Sequence, residues 1–102
     1  ILLCSGWKDK YNLEDTLYAG AVIHHLENSY QMNDDASLSA YFLYQQHAQD
    51  LESLVRKSSH AERFTLLHLQ TDDVKFCLQQ DTMQVVPQME GEFIVSHTPQ
   101  QA

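Results

Sequence analysis

The chain has 102 residues, 43% of them hydrophobic and 20% charged, which suits one small globular domain and excludes a wholly disordered chain. Its 14 acidic and 6 basic side chains leave a net charge of −8. That balance argues against a nucleic-acid partner, because non-specific phosphate binding needs an excess of cations. It leaves room for a phosphorylated small molecule, since a divalent cation held by carboxylates reverses the local sign.

No run approaches the ~20 apolar residues of a membrane span, so no membrane partner is expected. No secretory signal is legible, and a cytoplasmic location is expected. Cys4 and Cys77 lie far apart in apolar runs and are expected to be reduced, buried thiols.

In chain order, "ILLC" (1–4) reads as a strand buried on both faces, apolar without alternation. Such a strand needs neighbours that this chain does not offer. The expectation is therefore the C-terminal, helix-rich part of a larger α/β protein, with residues before Ile1 missing. Ser5 to Tyr11 is a polar loop. Asn12 is an N-cap for a helix running to about Asn28, with Glu14 and Asp15 in its first turn, where the helix dipole favours negative charge. Ala19, Gly20 and Ala21 form a small-residue patch that lets another element approach, most simply a sheet.

Asp34 or Asp35 opens a second helix through about His47, with Ala36, Leu38, Ala40, Leu43 and Tyr44 facing inward. A third covers about Gln49 to Lys57. Ser59 and Glu62 match a capping box for a fourth, ending near Leu69. Thr71 caps a fifth, "DDVKFCLQQ" (72–80). "MQVVPQ" (83–88) and "EFIVSH" (92–97) are short β-runs, a loose hairpin with Pro87 at an edge or end. Residues 1–98 form one domain and 99–102 a tail.

Chemistry concentrates at the first loop. Glu14 and Asp15 read either as charges that complement a helix dipole or as a metal or acid/base site at the carboxyl end of a strand. Two acids there would repel a phosphate unless a cation lay between them, and hard oxygen ligands select Mg²⁺. Lys8 and Lys10 either lend the loop positive charge or are simply solvated, and Trp7 is a pocket wall or a packing anchor. His24 and His25 are neighbours on a helix, about 100° apart, and do not share a metal easily. His47, His68 and His97 have no ligand-like spacing, so no zinc centre is expected. There is no nucleophile elbow, P-loop or dinucleotide fingerprint.

The stretch "ILLCSGWKDKYNLEDTLYAGAVI" (1–23) resembles the 2-phosphosulfolactate phosphatase (ComB) family. The family runs from a strand through a glycine loop to an acidic segment and a helix containing Ala-Gly. Here those positions are Gly6, Tyr11 to Asp15, and Ala19 with Gly20. "NDDASLSAYFLYQ" (33–45), "SSHAERFTLLHL" (58–69) and "DDVKFCLQQDTMQVVPQ" (72–88) are similar to later family motifs, in the same order. The resemblance implies a three-layer α/β/α fold and a Mg²⁺-dependent phosphatase. Its substrate would be 2-phosphosulfolactate or a similar small anionic phosphate ester, cleaved to the alcohol and phosphate, in archaea for coenzyme M synthesis.

Family members are more than twice as long. The arginine-bearing motifs of their N-terminal half are not in this sequence, where Arg56 and Arg63 lie in helical runs that look structural. The resemblance therefore carries over Asp15 and Glu14 as catalytic and metal-binding residues, and Gly6 as the substrate-binding loop. It implies that the piece alone is inactive and associates with the missing half or with a second copy. The competing reading is a non-catalytic, acidic, α-rich interaction or dimerisation module.

Overall fold

The computed structural model describes residues 1–66 and 73–97. The expected helix end at Leu67 to Leu69, the caps at Thr71 and Asp72, and the tail lie outside them. The order is five helices and a hairpin: α1 (Leu13–Leu26), α2 (Asp35–His47), α3 (Leu51–Val55), α4 (Ser59–Leu66), α5 (Asp73–Cys77), β1 (Val86–Glu90) and β2 (Phe93–His97).

Side-chain caps set the first three helix starts. The Asn12 side-chain oxygen accepts from the Asp15 N–H at 3.1 Å and opens α1. Asp34 accepts from the N–H of Ser37 at 3.2 Å and from its hydroxyl at 2.6 Å, opening α2. Asp50 does the same for Ser53, at 3.2 and 2.7 Å, opening α3.

α1 packs on α2, and the small-residue patch is the reason. A β-carbon on Gly20 would lie 2.2 Å from the carbonyl oxygen of Ala40 and 2.7 Å from Cβ of Tyr44. The patch thus receives a helix, where a sheet was expected. The buried apolar residues are Leu17 and Ala19 from α1, Ala40, Tyr41 and Tyr44 from α2, Val55 from α3 and Ala61 from α4. Ala36, expected inward, is exposed, and Tyr41 takes an inward place instead. Its phenol can be buried because it donates to the Glu27 carboxylate and accepts from Gln45 Nε2. His24 stacks against Tyr41, ring centres 6.3 Å apart.

β1 and β2 pair antiparallel, with Val86 opposite His97 and Glu90 opposite Phe93. Pro87 sits inside β1 opposite Ser96, which a two-stranded sheet tolerates where the missing N–H faces the outer edge.

Two expectations fail at the start of the chain. Residues 1–4 form no strand, and Ile1 and Leu3 are fully or almost fully exposed, because no neighbour is present to pair with them. Cys4 and Cys77 are free and exposed rather than buried.

The chain leaves much surface open. Its accessible area is 8955 Å², against roughly 5,900 Å² for a folded monomer of its mass. Its radius of gyration is 15.5 Å, against about 13 Å for a compact domain of this length. Among the described residues no side chain is completely enclosed, and no helix is long and apolar enough to cross a membrane.

Candidate functional site

The first loop is a tight turn. Trp7 and Lys10 exchange backbone hydrogen bonds, each 3.0 Å long. Lys8 and Asp9 between them hold positive φ angles of 51° and 61°. Gly6 enters the turn at φ 73°, and a β-carbon there would meet the Lys10 carbonyl oxygen at 2.6 Å. Glycine is therefore required by the turn itself.

Asp15 ties this turn to α1. Its Oδ2 accepts from the Gly6 N–H at 2.9 Å, with the Ser5 hydroxyl at 3.5 Å, the outer limit of a hydrogen bond. Its own N–H is held by Asn12, and its carbonyl faces the Cys4 thiol at 3.6 Å. Asp15 and Gly6 are thus brought together, as the sequence placed them. Among the described residues Oδ1 of Asp15 accepts no hydrogen bond.

Glu14 points elsewhere. Its Oε1 accepts from the Ser58 hydroxyl at 2.9 Å. Ser58 is buried and also caps α4, its Oγ accepting from the Ala61 N–H at 3.2 Å. The cap is thus Ser58, one residue before the Ser59 that the capping-box pattern indicated. Ser58 can serve both neighbours because a hydroxyl donates one proton and accepts through its lone pairs.

The two adjacent acids therefore serve two different junctions, as side chains about 100° apart on a helix must. Mg²⁺ requires a near-octahedral set of hard oxygens. Among the described residues no group of three His, Cys, Asp or Glu side chains comes together to hold a metal. The described residues alone do not fit a Mg²⁺ site, and the oxygen best placed to contribute to one is Asp15 Oδ1.

Lys8 and Lys10 could be placed at this loop from the sequence, but the arrival of Arg63 could not. The Arg63 guanidinium of α4 lies 4.9 Å from the centre of the Trp7 ring. The Lys8 ammonium lies 5.9 Å from the same ring. Arg56, by contrast, is bound to Glu52 one turn away on the surface, 2.7 Å.

A concavity of about 730 Å³ lies elsewhere. It runs along one stripe of α1, through Leu17, Tyr18, Ala21, Val22 and His25, with Glu14 at its end. Asp15 does not line it. This spacing repeats every three or four residues and marks an apolar helix face, which Tyr44 of α2, Leu51 and Val55 of α3, and Val74 and Cys77 of α5 wall on the other side; the apolar lining is unsuited to an anionic ester.

The family described as 2-phosphosulpholactate phosphatase matches residues 1–92. The chain belongs to this family. A "Probable 2-phosphosulfolactate phosphatase" of Picosynechococcus sp. is 44% identical over 86 residues, 81% of this chain and 35% of the relative. A protein of the same name from Synechococcus sp. is 42% identical over 88 residues, 84% of this chain and 36% of its own length. Another, from Caldanaerobacter subterraneus, is 30% identical over 95 residues, 92% and 39% of the two chains. The chain spans little more than a third of these relatives. No solved structure matches it.

Proposed function

We propose that this chain is the C-terminal part of a Mg²⁺-dependent phosphatase that hydrolyses 2-phosphosulfolactate or a similar small anionic phosphate ester. Membership of the 2-phosphosulfolactate phosphatase family over residues 1–92 carries the proposal. In the reaction a water oxygen forms a bond to phosphorus as the P–O bond to the alcohol breaks, and a proton from that water passes to the leaving oxygen. Mg²⁺, when bound, would offset charge on the transferring phosphoryl group.

In this reading Asp15 faces the reacting group through Oδ1, while Oδ2 keeps the Gly6 loop closed against the helix. Glu14 acts on the site through Ser58, by fixing the start of α4. Gly6 lets the backbone turn close beside the substrate. We extend to the enzyme the coenzyme M role that the resemblance implies, and the cytoplasmic location expected from the sequence.

The rest of the family-length protein is the partner we assign to the open surface. The relatives are nearly three times as long as the segment matched here, and the chain exposes about half again the area of a compact domain. The extended run at residues 1–4 would become an inner strand of a three-layer α/β/α fold, and the α1 stripe would pack beneath the same sheet. The chain alone would then be inactive. Phosphate release from 2-phosphosulfolactate, assayed with the chain and with the family-length protein, tests this. Magnesium-dependent release by the longer protein alone supports the proposal. No release by either, with the chain monomeric and stably folded, favours the interaction module. A concentration-dependent dimer of the chain would give the open face to a second copy.

A further inference from the structure

Half of the chain's six basic residues meet at one turn, although the chain as a whole carries a charge of −8. Lys8 lies within the turn of the first loop and Lys10 closes it, and Arg63 reaches Trp7 from α4, 56 positions later in sequence. With so many carboxylates available, cations of a folded acidic protein are readily paired. Yet among the described residues none of these three has a carboxylate within ion-pair distance. Lys8 and Arg63 instead both lie near the same indole, Trp7, their charged groups 5.9 and 4.9 Å from its ring centre. The arrangement is held from both ends. Asp15 fixes Gly6, next to Trp7, and Glu14 fixes Ser58, which starts the helix that carries Arg63.

We propose that Trp7, Lys8 and Arg63 form a subsite for a tetrahedral oxyanion, the phosphate or the sulfonate of the substrate, with Lys10 adding charge at its rim. This rests on the phosphatase reading for its physiological ligand, but not for its test. A guanidinium presents a planar fork of donors to such a group, and its contact with Trp7 restricts where it lies before the anion arrives. The anion-binding arginines of the enzyme would then not all come from the half outside this chain.

Trp7 is the only tryptophan, so its fluorescence reports on the subsite directly. The chain is titrated at constant ionic strength with inorganic phosphate, with methanesulfonate and with chloride. A saturable change with phosphate or methanesulfonate, absent with chloride, is expected, and the tighter of the two identifies the group held there. Arg63→Ala should weaken it at least tenfold, with Arg63→Lys intermediate. Lys8→Gln, a substitution on an exposed turn, provides a second variant if Arg63→Ala lowers helix content. A response no different from chloride, or equal binding by wild type and both variants, overturns the subsite. Because no turnover is measured, a failed phosphatase assay would leave this result standing, and the reverse also holds.

Discussion

Ser58 gives its hydroxyl proton to Glu14 across 44 positions of sequence, 2.9 Å from oxygen to oxygen. The same oxygen caps α4 through the Ala61 N–H. One buried side chain thus joins the first helix to the fourth. Ser58→Ala should remove both bonds and lower stability by about 1–2 kcal/mol, as lost caps and buried hydrogen bonds do. Urea unfolding followed by circular dichroism checks this. A midpoint identical to wild type would mean that the junction contributes nothing.

Gly20 sets the approach of α1 to α2. On helix propensity alone, Gly20→Ala should stabilise α1 by about 1 kcal/mol. The contact with the Ala40 carbonyl reverses that sign, because the new methyl group would sit 2.2 Å from a backbone oxygen. Overpacking of this kind costs about 1–3 kcal/mol, so a net loss in thermal stability is expected. A raised melting temperature would show that the helices are not so close.

The caps also give the fold an acid limit. Hydrogen bonds from Ser37 hold the Asp34 carboxyl below its ordinary value, and those from Ser53 do the same for Asp50. Their contribution is present above the unfolded carboxylate pKa of about 4 and is lost as pH falls through the lower folded values. Asn at both positions still accepts the N–H bonds but does not titrate. The double variant Asp34→Asn, Asp50→Asn should therefore lose less stability than wild type between neutral pH and pH 3 in urea titrations. At the alkaline end, the hydrogen bond to Glu27 raises the Tyr41 phenol, so its contribution is lost as pH rises through a value above 10. Tyr41→Phe should flatten that limb.

Local chemistry made the helix starts legible. Asn12 and Asp34 announce their helices because a short acceptor beside the first turn has few other uses there. The hairpin was readable from two β-rich runs around "MEG". The fourth helix shows the limit: Ser59 and Glu62 fit the capping-box spacing, but the preceding serine can also reach Glu14, and that tertiary bond selects Ser58. The small patch at Gly20 signalled a close approach without naming the partner, and a helix took the place expected for a sheet. The meeting of Arg63 with Trp7 leaves no local trace, because contact between residues so far apart has no sequence period. The acid pair was visible as a pair, but its division between Gly6 and Ser58 follows from helix geometry and the neighbours of each side chain.

The most direct test of a reacting-group role for Asp15 is Asp15→Asn in the family-length protein, assayed for phosphate release from 2-phosphosulfolactate with Mg²⁺ and with a chelator. Asparagine can still accept the Gly6 N–H, so the loop should stay closed and the far-ultraviolet spectrum unchanged. The account predicts Mg²⁺-dependent turnover in the wild type and a fall of about a hundredfold or more in kcat for the variant, the scale of losing a group that acts on the reacting atoms. Unchanged kcat in a folded Asp15→Asn protein would contradict it and leave Asp15 as the residue that fastens the first loop to its helix.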